Sequence, residues 1–441
     1  MNKKNAIDNF DENDEPKLSF DSGIMLDWDD RDLSDEYIDA GKKHPGIDKP
    51  LLVITLVILL IGVIMVLSAS FARGYYMQSD PLRLFTRQFV FAISGIALML
   101  ITSRISVRTI SRWSMQLLLV SLVLLVLVLV IGIRVNGARR WIGIGGENSS
   151  LTFQPSEIAK LALILAFAQM ICKLGKERMK TFKFGVLPFA IVTGIMIVLL
   201  RMEPHLSAII IVTALAAIMM FAGGTRLRWF LLVITILAAM ISGLIYFQLR
   251  NTVPDVEIRD VSVTTVRENL DLSGLGYEGR RINAWLNPDA DPLRDGFQIR
   301  QSLNAVGSGG LLGLGLGQSR QKHLYLPEEH NDYIFAIVCE ELGFIGAMLI
   351  LMLFALLIIR GYWLAIHAND KFSSLITIGI TSLLALQVFL NVAVVTNLLP
   401  ATGISLPFFS YGGTALWIQL IQIGIILAVS REIPLTKEKR N

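Results

Sequence analysis

The stretch LYLPEEHNDYIFAIVCEELGFIGAMLILMLFALLIIR, Leu324–Arg360, begins as a loop and continues as a membrane helix. Its apolar run from Tyr333 to Ile359 exceeds the ~20 residues that a helix needs to cross a bilayer. Yet Glu328, Glu329, His330 and Asp332 crowd its start, and Glu340 and Glu341 lie inside it. A carboxylate in hydrocarbon is costly, so both inner glutamates are expected to face protein or water, with a structural partner such as an arginine in another span. Helical geometry places Phe335, Ala336 and Cys339 on the face of Asp332, Glu340 about 80° away and Glu341 nearly opposite. Glu340 then lies ~12 Å deeper than Asp332. From pattern alone Asp332 has two readings. It is a helix N-cap favoured by the helix dipole, or a working carboxylate at the water boundary.

Outward from this stretch the composition agrees. The chain has 441 residues, is 53% hydrophobic and only 17% charged, and its mean hydropathy is +0.58. A soluble domain of this size has no use for so much apolar surface, so a polytopic membrane protein is expected. The formal net charge of +4 gives no reason to expect nucleic acid as a partner. Cys172 and Cys339 stand far apart in apolar segments and read as packing residues. No cleavable signal peptide is evident, because the first apolar run is a full span.

Residues 1–49 are acidic and read as a disordered cytoplasmic tail. A membrane domain over 50–432 and a basic cytoplasmic tail over 433–441 follow. Spans are expected near 51–71, 87–103, 114–133, 156–173, 184–201, 205–223, 228–249, 333–359, 373–394 and 412–430. The fold class is therefore all-α and polytopic, with about ten transmembrane helices. The basic loops SRISVRTISR, KLGKERMKTFK, GGTRLR, RGYWLAIHANDK and SREIPLTKEKR all fall on one side, which should be cytoplasmic and hold both termini. The other side carries a large extracytoplasmic loop, 250–331, between the seventh and eighth spans. It also carries the irregular but apolar LLPATGISLPFFSYGG, which suits a re-entrant segment packed against the bundle.

Charged motifs collect on that outer side. In FQPSEIAKLALILAF, Pro155 suits a helix start, and Glu157 and Lys160 form an i,i+3 pair. The pair neutralises itself at the membrane edge, or its lysine meets a phosphate. In NGARRWI, Arg139 and Arg140 run against the orientation trend and suit an anionic headgroup, while Trp141 also suits an interface anchor. Arg87 can add to the same field. The glycines of GSGGLLGLGLGQSRQKH resemble a phosphate loop only weakly, and tight packing against helices explains them equally well. Arg320 and Lys322 add positive charge before the acidic cluster, as a pyrophosphate leaving group beside a carboxylate would require. His205, in the turn RMEPHLSAII, reads as structural.

NGARRWIGIGG with LTFQPSEIAK, GSGGLLGLGLGQSRQKHLYLPEEHNDYIFAIVCEELGFIG and TNLLPATGISLPFFSYGGTAL together resemble the signature segments of the SEDS (shape, elongation, division and sporulation) family, which includes FtsW, RodA and SpoVE. The resemblance spans roughly residues 50–432. It implies a ten-helix peptidoglycan glycosyltransferase that polymerises lipid II at the outer face of the bacterial inner membrane. It also implies a class B penicillin-binding protein as partner, within the divisome or elongasome. The family's essential acid falls on Asp332 in HNDY, beside His330. Its glutamate and lysine fall on Glu157 and Lys160, its second-span arginine on Arg87 and its tryptophan on Trp141. The family's aspartate in EPHLS is replaced by His205. The expected catalytic residue is therefore Asp332. The expected substrate-binding residues are Arg87, Arg139, Arg140, Trp141, Glu157, Lys160, Arg320, Lys322 and His330. No cofactor is evident, and a divalent cation is the one candidate. The long tail and SLPFFSYGGTAL point to the division branch over elongation or sporulation. A lipid II flippase and a non-catalytic scaffold are the rival classes.

Overall fold

A computed structural model describes residues 46–77, 80–135, 138–143, 152–232, 235, 277–288 and 295–433. The long helices are α1 (Lys49–Met77), α2 (Arg83–Thr102), α3 (Val107–Ile131), α4 (Pro155–Met179), α6 (Leu187–Met202) and α7 (Leu206–Ala222). A short α5 (Phe182–Gly185) leads into α6. Then come α8 (Tyr277–Leu286), α9 (Asp295–Ser308), α10 (Ile334–Ile366), α11 (Lys371–Val395) and α12 (Gly413–Glu432). Among the described residues eight candidate spans are long and apolar enough to cross a membrane, and α7 is a shorter apolar helix of 17 residues. Together they match nine of the ten expected spans. The remaining one, 228–249, is described as helix only over its first residues. The protein is a polytopic α-helical membrane protein. The expected acidic tail, 1–49, and basic tail, 433–441, lie outside the described residues over 1–45 and 434–441.

One element departs from the all-α expectation. The loop between α3 and α4 carries a three-stranded antiparallel sheet, β1 (Ile133–Val135), β2 (Ala138–Gly143) and β3 (Thr152–Phe153), in that order. Ile133 pairs with Trp141, and Ile142 with Phe153. The sequence between β1 and β2 is Asn-Gly, the strongest short hairpin signal, masked in the reading by the arginines around it. This sheet marks what is called the outer end below.

Burial sorts the helices. On α4, Leu163, Ile164, Ala166 and Phe167 are all buried, and α11 and α12 are similarly enclosed. On α3, Leu119 and Val130 stay 65% and 71% exposed, as befits side chains that meet lipid. α4 pairs with α3, α7 and α11, whereas α2 lies along α12.

Two irregular segments enter this bundle from the outer end. Residues 398–412 do so as expected: Ile404, Leu406, Phe408 and Phe409 are buried. The segment reaches the middle of α1, where a Cβ on Gly62 would stand 2.3 Å from the Phe408 carbonyl oxygen. The second segment is the glycine-rich stretch. α10 breaks at Gly343, with φ of 67°. The amides of Leu314 and Gly315 donate to the carbonyls of Glu340 and Glu341 (both 3.0 Å). The amides of Phe344 and Ile345 donate to Gly310 and Leu311 (2.9 and 3.1 Å). A Cβ on Gly313 would lie 2.2 Å from the Glu341 carbonyl oxygen. Gly309 and Gly313 therefore serve close approach to a broken helix, and the phosphate-loop reading falls: amides of this stretch are spent on α10. Leu311 and Leu312 point outward, 68% and 79% exposed.

The two inner glutamates pin this arrangement. Glu340 accepts from the hydroxyls of Ser319 and Ser308 and from the amides of Arg320 (3.1 Å) and Gln321 (3.3 Å). Glu341 accepts from Ser68 Oγ of α1 (2.7 Å) and Lys322 Nζ (2.9 Å). They face protein, as expected. The partner is not an arginine in another span but a lysine from the re-entrant segment plus hydroxyls.

Candidate functional site

Asp332 sits in the turn before α10. The N-cap position belongs to Tyr333, and no side chain caps this helix. The capping reading of Asp332 is thus overturned: the helix starts two residues beyond it, so its face cannot be extrapolated from Asp332. The turn is held at several points. Asn391 Nδ2 of α11 donates to the Asp332 carbonyl (2.8 Å) and to the Ile404 carbonyl (2.7 Å). Ser410 Oγ donates to the Asn331 carbonyl (2.8 Å), and the Tyr411 amide to the His330 carbonyl (2.9 Å).

The half-buried carboxylate of Asp332 points at Gly403, whose φ of 75° suits glycine. A Cβ there would stand 3.2 Å from Asp332 Oδ2, 3.9 Å from Arg281 Nη1 and 3.9 Å from Ser207 Oγ. An acid, a guanidinium and a hydroxyl from three separate elements thus converge on one small space. Arg281 Nη1 also donates to the Ala401 carbonyl (2.9 Å), which fixes α8 over the site. Burial, then Glu328, pushes the Asp332 carboxyl up to about 6, against the pull of Arg281, Arg140 and His330.

Alternation along β2 sends the two expected arginines different ways. Arg140 donates from Nε to the Glu203 carbonyl (3.3 Å) and from Nη2 to the Pro204 carbonyl, so it lies over the α6–α7 turn. Arg139 instead donates to the Leu129 carbonyl at the end of α3 (2.9 Å). In the turn, His205 Nε2 stands 3.5 Å from Gln154 Nε2. His205 is held well below its usual range by burial and then by Arg140 and Lys160. It is therefore neutral. Glu203 is pushed up to about 8 by burial, only partly offset by Arg140. Glu157 and Lys160 pair at 2.7 Å, both buried in the first turn of α4. These electrostatic couplings join Arg140, Lys160, His205 and Asp332 into one outer cluster.

Other expected residues sit elsewhere. Lys322 is 4% exposed and committed to Glu341, so it is not available to a phosphate, and its expected place in the cationic pocket is corrected. Arg320 is exposed on a cleft of about 380 Å³ lined also by Gly317, Gln318, Ser319, His323 and Tyr325. It is not among the charges that act on Asp332. Arg87 is half-buried on α2 beside Gln88, which bonds the Ser410 carbonyl and the Gly412 amide. Trp141 is half-buried on β2. His330 is buried, its Nδ1 3.6 Å from Glu329 Oε1. Sequence reasoning missed Arg281 and Ser207. The signal for Arg281 was available: GRRINAW, in the long outer loop, repeats the Arg-Arg and tryptophan pattern of GARRWI.

Among the described residues no three His, Cys, Asp or Glu side chains gather as metal ligands. The space around Gly403 has what a group transfer from an anionic leaving group needs: a proton acceptor of raised pKa beside fixed cations.

Comparison with known proteins gives concordant results. The family profile FtsW/RodA/SpoVE, described as cell cycle protein, matches residues 49–434. Stage V sporulation protein E of Bacillus subtilis is 39% identical over 391 residues, 88% of this chain and 98% of that protein. A protein named probable peptidoglycan glycosyltransferase FtsW, from Trichlorobacter lovleyi, is 39% identical over 390 residues, 88% of this chain and 94% of the relative. Among solved structures, the rod shape determining protein RodA of Thermus thermophilus superposes with a TM-score of 0.61 at 26% identity, covering 88% of this chain and 98% of its own. A chain from a study of how a peptidoglycan synthase complex coordinates polymerization and crosslinking gives 0.67 at 27% identity, covering 87% and 98%.

Proposed function

The chain belongs to the FtsW/RodA/SpoVE family of cell cycle proteins, and from that membership we propose that it is a peptidoglycan glycosyltransferase that polymerises lipid II. It works at the outer face of the bacterial cytoplasmic membrane. Asp332 takes the proton from the 4-hydroxyl of the acceptor sugar as that oxygen attacks the anomeric carbon of the donor. The glycosidic C–O bond forms, the bond to undecaprenyl pyrophosphate breaks, and the leaving group carries away the electron pair. Arg281 and Arg140 offset its charge, with Lys160 and Arg87 adding to the field. The observation that carries this reading is the convergence of Asp332, Arg281 and Ser207 on Gly403.

A class B penicillin-binding protein is the partner that would crosslink the strands. A relative from a synthase complex supports that pairing. Septal wall synthesis is the favoured setting, since several relatives carry the name FtsW. The sporulation setting is the second reading, because stage V sporulation protein E is as similar to this chain, at 39% identity, as the FtsW of Trichlorobacter lovleyi. Depletion separates the two: filaments with unfinished septa support division, and normal growth with defective spores supports sporulation.

The direct test is gel analysis of glycan strands made from purified lipid II, with and without a class B partner. Asp332→Ala is expected to lower the rate by about 100-fold or more at wild-type membrane level. Lipid II crossing between leaflets without strand growth would favour a flippase. Undiminished polymerisation by Asp332→Ala would overturn the assignment.

A further inference from the structure

The turn that carries Asp332 is gripped by one charged group from α1, the helix that packs along α10. Arg73 lies on α1, one turn from its outer end. Its Nε donates to Glu329 Oε1 (2.7 Å) and its Nη2 to Glu329 Oε2 (2.9 Å), a bidentate pair. The arginine side chain is 24% exposed and the glutamate 0%. Glu329 stands three residues before Asp332, and its Oε1 faces His330 Nδ1 at 3.6 Å. His330 in turn is among the groups whose field acts on Asp332. Burial alone would push the Glu329 carboxyl up, but His330 and Arg73 bring it down to about 2, so it is an anion at any working pH.

We propose that Arg73 is a positioning residue for the glycosyl transfer: it fixes the Glu329 carboxylate, that carboxylate faces His330, and together they fix both the place and the electrostatic setting of Asp332. The other supports of this turn, Asn391, Ser410 and the Tyr411 amide, act on backbone carbonyls and carry no charge. The Arg73–Glu329 pair sets the charge that the His330 imidazole faces, while Tyr411 packs against the same ring (centroids 5.9 Å apart). A bidentate guanidinium fixes a carboxylate in both position and plane, which a lysine ammonium does not. Without it, Glu329 is left as a buried anion. Its remaining partner is His330, and it draws the imidazole off Asp332. The carboxyl of Asp332, still facing Glu328, Arg281 and Arg140, then becomes harder to ionise.

This inference rests on Asp332 as the base, and the experiment separates the two. Purified wild type, Arg73→Gln, Arg73→Lys, Arg73→Gln with Glu329→Gln, and Asp332→Ala are compared by initial rates of lipid II polymerisation from pH 5 to 9. Arg73→Gln is expected to lower kcat by about 10- to 100-fold and to move the acidic limb of the kcat profile to higher pH. Arg73→Lys should fall between it and wild type. The double variant removes the stranded anion and should regain stability, but with no carboxylate left facing His330 it should stay well below wild type in kcat. A well-folded Arg73→Gln with wild-type kcat and an unmoved limb would overturn the proposal. So would a double variant restored to wild-type kcat, which is what a merely structural tie predicts. An active Asp332→Ala would instead sink the underlying assignment.

Discussion

Asp332 lies in the field of two arginines, a histidine and a glutamate, and the balance among them and its burial sets the pH at which it can accept a proton. A base works only when ionised, so its raised pKa of about 6 places the loss of activity on the acidic side. The kcat/KM profile of the wild type is expected to fall tenfold per pH unit below about 6 and to level off above it. Arg281→Gln removes a positive neighbour, which makes the carboxylate harder to form. The acidic limb should therefore shift upward, with kcat/KM at neutral pH reduced by about tenfold or more as the leaving-group cation is lost. Steady-state rates across pH check both statements, and a limb that moves down in Arg281→Gln contradicts them. Much of this site was legible beforehand. Asp332, Glu157, Lys160 and Arg140 stand in compact motifs whose charge conflicts with an apolar context. Arg281 and Ser207 were not, because they meet Asp332 only through tertiary contact: one from a helix in the long outer loop, the other from the first turn of α7. Lys322 misled for the opposite reason. Its neighbours in sequence made it look like part of an outer cationic patch, whereas folding turns it inward to Glu341.

At the scale of elements, α10 and the glycine-rich segment form one unit, and neither is complete alone. A spanning helix broken at Gly343 exposes amides and carbonyls that lipid cannot satisfy, and residues 309–323 supply the missing partners. The glutamates that made the opening stretch of sequence so awkward are the fasteners of this unit. Lys322→Met would strand Glu341 as a buried anion, and its expected cost is about 3–5 kcal/mol of stability. Lys322→Met with Glu341→Gln should regain most of it, read as thermal unfolding in detergent. The glycines are not equivalent either. A Cβ on Gly313 would collide with α10, whereas Gly307 faces open space near the end of α9. Gly307→Ala should be neutral or slightly stabilising, because alanine favours helix, and Gly313→Ala should lower the amount of folded protein. Equal yields of the two would argue against the close approach. Periodicity announced α10 as a single span, but the break was invisible to it, since glycine in an apolar run reads equally as packing and as a kink.

For the whole molecule, the two ends of the bundle are chemically distinct, and this asymmetry ties the catalytic reading to an orientation. One end holds Asp48 bound to Arg360 (2.6 Å), the Asp48 amide on Ser430 (3.2 Å) and Glu432 on the Val107 amide (3.2 Å). These contacts join α1, α3, α10 and α12 where the basic loops lie. The other end carries the sheet, the two re-entrant segments and every group that acts on Asp332. The charge of short loops sets orientation during insertion, so the basic end should be cytoplasmic and the Asp332 end outside, where lipid II is polymerised. Single cysteines in a background with Cys172 and Cys339 replaced make this testable in intact cells. Tyr325→Cys, exposed near the Asp332 turn, should react with a membrane-impermeant maleimide added from outside. Arg104→Cys, between α2 and α3, should react only after the membrane is opened. The reverse pattern would place Asp332 in the cytoplasm, away from the growing wall. No adjustment of residue roles could then preserve the polymerase mechanism, because the donor and acceptor strands would lie on the wrong side of the bilayer.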